Sequence, residues 1–284
     1  MIQQLIFGIV TGSIIALGAI GLSMIYDILD LVNFAHGDFM TLGAYLTFLF
    51  NVSLNLNLIL AAALGIILTG VISLILDKIM WKKLRDKGAG SITLLITAIG
   101  LALVIRNLIV FQWGGSNVGF DLPLSQNLNF HGIMISTSGV LTVVVAALLM
   151  IALDLILRKT KIGKAMRALS DNKNLARITG INVDNIILWT WGIGTSFAAV
   201  GGVLYGLNTV IRPDMGWFLL LPIFAAVILG GIGNPYGAMV GGLIIGISQE
   251  MSTIILPSSY KIAVSFVILI LVMLIKPEGI FGEK

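Results

Sequence analysis

The stretch "LIFGIVTGSIIALGAIGLSMIYDILDLVNFAHGDFMTLGAYLTFLF", residues 5–50, decides what kind of molecule this is. Its first part, residues 5–26, has no Asp, Glu, Lys or Arg. An apolar run of about 18 residues or more with few charges is long enough to cross a bilayer core as a helix. A second apolar run, 39–50, follows the polar sequence Asn33-Phe34-Ala35-His36-Gly37-Asp38. The whole chain repeats this character. Of its 284 residues 58% are hydrophobic and 11% charged, with mean hydropathy +1.06, whereas a soluble domain carries about 25% charged residues. The expected fold class is all-α, a polytopic membrane protein forming a single transmembrane domain over 1–284.

Hydropathy places spans near 5–26, 30–50, 54–76, 91–113, 139–157, 186–208, 217–232, 236–256 and 260–276. The segments 30–50, which contains the polar motif, and 217–232, which runs into "GGIGNPYG", read as broken or re-entrant, so eight to ten spans are expected. The N-terminus lacks a basic region before its apolar run and reads as a first span, not a cleaved leader.

The net charge of +4 invites a nucleic-acid reading, but the distribution of the cations argues against one. Lys78, Lys82, Lys83, Arg85 and Lys87 crowd one inter-span loop. Arg158, Lys159, Lys161, Lys164, Arg167, Lys173 and Arg177 crowd another. Clusters of this kind mark cytoplasmic loops. Segment 114–138, with Asp121 and His131 but no Lys or Arg, then lies outside, as does the N-terminus. The chain has no cysteine, which excludes disulfides and thiolate metal sites. It has no HExxH, Gly-x-Ser-x-Gly or GxxxxGK[ST] sequence, so any energy for transport has to come from an ion gradient or a separate ATPase. No metal or directly bound cofactor is expected.

Polar groups inside spans mark candidate sites, because a charge at bilayer depth is costly and faces a cavity or the bundle interior. Asn33 and His36 share a face at i and i+3, and Gly37 permits a helix break there. Two readings of this motif stand side by side. In one, Asn33, His36, Gly37 and Asp38 line a substrate pathway at a broken helix. In the other, Asn33 and Asp38 cap a helix at the cytoplasmic interface after the turn at Asp27–Asp30. Glu250, beside Gln249, is a second pathway candidate, with Arg106 either its partner or snorkelling to the outer surface. Small residues four apart, Gly194, Ala198, Gly202 and Gly206, and again Gly233, Gly237 and Gly241, define close-packing faces. These serve either ordinary span packing or a sharper role as a subunit interface or a translocation seam.

The loop 158–185 places Ile162, Met166 and Leu169 at helical spacing with cations between them, which predicts a short amphipathic helix. Ser170 or Asp171 is the expected N-cap of a second short helix closing at Gly180. Such a loop suits either a lipid surface or a groove on a partner protein.

Several blocks resemble one family, in order and spacing: "GLSMIYDILDLVNFAHGDFMTLGAYL" (21–46), "IGKAMRALSDNKNLARITGINVDNI" (162–186), "AAVGGVLYG" (198–206), "AAVILGGIGNPYGAMVGGLIIGISQE" (225–250) and "KPEGIFG" (276–282). Together they are similar to the bacterial branched-chain amino-acid ABC transporter permeases, the first of that system's two permease subunits in particular. The resemblance implies a multi-pass protein of the bacterial cytoplasmic (inner) membrane working by alternating access. Its implied partners are a homologous second permease subunit, two cytosolic ATPase subunits that use the ATP, and an external substrate-binding protein; no nucleic acid is implied. It also implies that the loop docks on the ATPases, a role carried to Gly163, Ala165, Arg167, Ala168, Ala176, Gly180 and Ile181. To these the helical pattern adds Ile162, Met166 and Leu169. Relatives of this family serve urea and short amides as well. From a different class, a proton-coupled secondary transporter using His36, Asp38 and Glu250 is the competing expectation, and a membrane-embedded enzyme is disfavoured by the missing catalytic set.

Overall fold

The computed structural model describes residues 1–121, 127–130 and 133–282; His131 falls outside them. The chain is helical almost throughout. In order it forms α1 (Ile2–Leu29), α2 (His36–Phe48), α3 (Leu58–Leu76), α4 (Lys82–Asp86), α5 (Ser91–Trp113), a small antiparallel hairpin β1 (Asn127–Phe130) and β2 (Ile133–Ser136), α6 (Thr137–Lys159), α7 (Lys161–Asp171), α8 (Lys173–Ile178), α9 (Val183–Asn208), α10 (Met215–Gly230), α11 (Pro235–Ser252) and α12 (Lys261–Ile275). A π-turn at Asp77–Trp81 joins α3 to α4, making one rod over Leu58–Asp86.

Among the described residues six helices are long and apolar enough to cross a membrane: α1, the α3–α4 rod, α5, α6, α9 and the segment Ser258–Ile275 ending in α12. α11, expected as a span over 236–256, is not among them, and neither are α2 and α10, which fall where the sequence predicts broken segments. At 1.5 Å per residue, the 13 residues of α2 and the 16 of α10 reach only about 20 and 24 Å, short of a hydrocarbon core of about 30 Å. Within α10, Pro222 removes one backbone donor and loosens the turn before it.

The ends of the bundle sort by charge. Lys82 pairs with Asp184, Lys173 with Asp30 at 2.6 Å, and the Ser170 hydroxyl donates to Asp27, which gathers both basic loops at one end. At the opposite end the Gln3 side chain donates to the Met134 carbonyl (2.7 Å) and accepts from its N–H (3.0 Å), and Val118 bridges to Ile211. The N-terminus therefore shares a side with 114–121 and the hairpin. With the basic end in the cytoplasm, both are external.

Helix contact in lipid depends on close backbone approach, and the glycines provide it. A Cβ on Gly246 would stand 2.2 Å from Gly12 Cα, and one on Gly242 2.4 Å from Ala16 Cα, so α1 and α11 touch backbone to backbone. The face Gly194–Ala198–Gly202–Gly206 is spent inside the chain, with Gly194 against Gly21, Gly202 against Met40 and Gly206 against Ile211. Gly237 and Gly241 pack on Gly230 and Ala226. Both small-residue faces thus pack spans within the chain, which is the ordinary span-packing reading.

The helices repeat an arrangement. α1–α2–α3–α5 and α9–α10–α11–α12 correspond in order, each opening with a long helix followed by a short one, the first set starting at the end that holds the N-terminus and the second at the basic end. Their contacts correspond as well. α1 packs on α11 as α9 packs on α3; α2 meets α9 as α10 meets α1; α2 touches α3 and α5 as α10 touches α11 and α12. This is an inverted repeat of the kind transporters use to build a site where two discontinuous helices meet.

Candidate functional site

α1 ends in an elbow. Asp30 adopts φ 53 and ψ 33, and its N–H closes on the Tyr26 carbonyl. The chain then turns back along α1. The Asn33 carboxamide oxygen accepts from the Ala35 N–H and its backbone carbonyl from the His36 N–H, both at 3.1 Å, which starts α2. His36 Nε2 lies 2.9 Å from the Gly18 carbonyl oxygen. Gly18 is eleven residues before the end of α1, or about 16 Å along the helix. α2 therefore begins well within the length of α1 and not at its end, which favours the broken-helix reading of the motif over the interface cap. Asn33 does perform a local turn-closing role. Asp38 caps nothing.

α10 begins at the same point. A Cβ on Gly37 would lie 2.1 Å from the Gly216 oxygen, and one on Gly216 would lie 1.9 Å from the Gly37 oxygen. Thr41 Oγ1 accepts from the Gly216 N–H at 3.0 Å and donates to the Gly37 carbonyl at 3.3 Å. Two helix N-termini, each with unpaired N–H groups and a positive end of the dipole, thus meet inside the molecule. Asp38, in the first turn of α2 and fully buried, supplies a negative charge there. Arg106 of α5 donates to it from Nε (3.1 Å) and from its terminal nitrogen (3.3 Å) while lying 5.2 Å over the Trp217 ring of α10.

Two expectations are corrected here. Arg106 neither pairs with Glu250 nor snorkels outward; it turns inward to Asp38, a buried carboxylate within reach. Glu250 holds Lys261 through both oxygens at 2.7 Å and accepts from Thr11 at 3.2 Å, and Gln249 donates to Ser265 at 2.6 Å. Asn33, His36, Gly37 and Asp38 are brought together with α10, and Glu250 makes its contacts elsewhere. Asn33 and His36 are fully buried, and Asn33 Nδ2 and His36 Nδ1 have no hydrogen-bond partner among the described residues. Unmade hydrogen bonds of this kind each cost about 1–3 kcal/mol.

At the basic end the loop 158–185 forms two short helices. Thr160 caps α7 through the Gly163 N–H (3.0 Å), and Gly163 sits against the Leu157 backbone, where a Cβ would approach Cα to 2.5 Å. Met166 and Leu169 are 2% and 0% exposed and belong to the core. The expectation that they are offered to a partner groove is therefore corrected: the apolar face of α7 is spent on its own spans. Ile162 and Ala165 also pack against that core, Ala168 is half-buried, and Arg167 points out. The cap of α8 is Asn172, whose side chain accepts from the Leu175 N–H at 2.9 Å, in place of the expected Ser170 or Asp171. α8 ends before Gly180, whose φ of 88 allows the Ile181 N–H to reach back to the Ala176 carbonyl. Ala176 is buried, while Leu175 and Ile178 are 58% and 81% exposed. These two exposed apolar residues at the basic end escape a sequence reading that follows the stronger Ile162–Met166–Leu169 pattern; their own signal is the i,i+3 pair in "NLARI". A cleft of about 670 Å³ opens between α7 and the elbow, lined among others by Asp27, Arg167, Ser170, Tyr236 and Phe281.

Comparison with known proteins gives the family of the chain. Residues 4–273 match the family model "Branched-chain amino acid transport system / permease component". The chain is 34% identical to the high-affinity branched-chain amino acid transport system permease protein BraD of Pseudomonas aeruginosa, over 99% of this chain and 96% of that one. It is 35% identical to the corresponding permease protein LivH of Escherichia coli, with the same coverage. Among solved structures, PsaBC from Streptococcus pneumoniae in complex with Fab shares the fold, with a TM-score of 0.53 at 15% identity over 98% of this chain and 92% of that one. A multi-pass bundle whose two half-helices meet at Gly37 and Gly216, matched along nearly its full length, belongs to the family of branched-chain amino-acid transport system permease components.

Proposed function

We propose that this chain is the membrane-spanning permease subunit of an ABC importer for branched-chain or related amino acids in the bacterial cytoplasmic membrane. A homologous second permease, two cytosolic ATPases and an external substrate-binding protein complete the assembly, and ATP is used by the ATPases alone. One observation carries the mechanism: α7 and α8 are tied to the elbow between α1 and α2 by Ser170–Asp27 and Lys173–Asp30. A movement of these cytosolic helices pulls directly on the segment that sets Asn33 and His36 in place. Docking falls to the exposed face, Arg167, Leu175, Ile178 and Gly180, with Gly163, Met166, Leu169 and Ala176 coupling that face to the spans. Alternating access then proceeds by parting the two half-helices at Gly37 and Gly216, which exposes Asn33, His36 and Asp38 to the pathway.

A proton-coupled carrier gains no support from the carboxylates, since Asp38 and Glu250 are each held by a cation at 3.1 and 2.7 Å. The deciding experiment is uptake of labelled leucine by the complete complex in vesicles. Vanadate stops it and a protonophore does not. The opposite result would give the function to a proton-coupled carrier, and ATP-driven uptake of urea or a short amide without leucine would keep the machine and change the cargo.

A further inference from the structure

We propose that Arg106, Asp38 and Trp217 form a receiving site for the amino acid as it crosses the permease. Arg106 takes the α-carboxylate, Asp38 the α-ammonium, and the Trp217–Phe218 surface the apolar side chain. The inference rests on the amino-acid reading above and names the groups that would meet the substrate. The pair is uneven. Asp38 is fully buried while Arg106 is 21% exposed, so the guanidinium has an open side. That side lies beside an exposed stripe of α10, with Trp217 at 38% and Phe218 at 41%. The stripe continues to Asp214 and to Arg212, which stacks over Phe218 at 5.5 Å near the external end. Arg106 stands seven residues inside the outer end of α5, about 10 Å deep. A charge at that depth faces a water-filled cavity or another protein element, not lipid. The polar and aromatic stripe is therefore a pathway wall or a face covered by the second permease.

The chemistry suits exchange. Arg106 holds Asp38 through Nε at 3.1 Å and a terminal nitrogen at 3.3 Å while its side chain keeps 21% exposure. A zwitterion carries one anion and one cation. Seated between the two side chains, it replaces one ion pair by two, so that neither charge is left without a partner. An apolar seam alone offers the carboxylate nothing, and a buried unpaired charge is strongly disfavoured. A guanidinium meets a carboxylate in a planar fork that an ammonium cannot reproduce.

The competing account is charge neutralisation, in which the pair only holds α5 to α2. Two variants of the chain in the complete transporter separate the accounts, with labelled leucine as the probe and assembly checked by co-purification with the ATPases. The double variant Asp38→Asn/Arg106→Gln removes both charges, so a merely structural pair is relieved and uptake stays normal. A receiving site is lost, and uptake falls about ten-fold or more, as expected when charge-assisted hydrogen bonds disappear. Arg106→Lys keeps the charge and the assembly but not the fork; uptake again falls about ten-fold with a raised KM. Normal uptake by either assembled variant overturns the proposal. If the unaltered transporter takes up no leucine while still hydrolysing ATP, the amino-acid reading fails first and the receiving site with it.

Discussion

At the scale of single residues, Gly216 carries the tightest constraint at the junction. A Cβ there would stand 1.9 Å from the Gly37 oxygen, 2.3 Å from its carbon and 2.5 Å from Thr41 Oγ1. Two of these atoms are backbone and cannot swing aside. Gly216→Ala should therefore part the first turns of α2 and α10 at a cost of about 1–3 kcal/mol, the usual range for overpacking. The purified complex should melt at a lower temperature and transport poorly. Gly100→Ala is the control, since nothing lies within 4 Å of that position, and it should leave the melt unchanged or slightly raised; equal effects would mean that the junction is looser than its contacts. The sequence makes Gly37 suspect because it lies beside His36 and Asp38, but it hides Gly216 among apolar neighbours. Arg106 shows the same limit. Its partner, Asp38, is 68 residues away, and no local pattern couples a cation to a carboxylate at that distance.

At the scale of elements, amphipathic spacing finds α7 but assigns its apolar face to the wrong partner. A period of 3.6 reports that one face is buried; it does not say whether the cover is the same chain or another. Here the cover is the chain's own spans, which Met166 and Leu169 meet, and the surface left for a partner is the smaller pair Leu175 and Ile178. The two faces make opposite predictions. Met166→Asp buries an unpaired charge in the permease itself and should lower its yield in the membrane, because such burial is costly wherever no counter-charge exists. Ile178→Asp, 81% exposed in the isolated chain, should leave insertion intact and weaken ATPase docking by about 2 kcal/mol, the threshold for an interface hot spot. Membrane yield and ATPase co-purification read the two separately. If Ile178→Asp retains its ATPase and its transport, α8 is not the docking element and the face belongs to lipid.

At the scale of the whole molecule, hydropathy finds nearly every helix within a few residues, since each long span must bury its backbone groups in internal hydrogen bonds whatever its neighbours. It does not find the inverted repeat. A long helix followed by a short one recurs in α1–α2 and α9–α10, with matching contacts to the helices that follow, but the halves share little beyond Gly37-Asp38-Phe39 and Gly216-Trp217-Phe218 at the starts of the short helices. Inversion ties the orientations of the two halves together. If the first set begins outside, the second must begin inside, with the five elements β1, β2, α6, α7 and α8 between them arranged to allow it. The chain has no cysteine, so single introduced thiols are clean reporters. In intact cells an impermeant maleimide should label Ser116→Cys, which is exposed beyond the outer end of α5. It should spare Lys83→Cys and Asn174→Cys until the membrane is opened. Labelling of Lys83→Cys from outside would reverse both halves at once. The elbow at Asp30 would then lie outside, out of reach of any cytosolic ATPase, and the coupling route from α8 to His36 would have no motor to drive it.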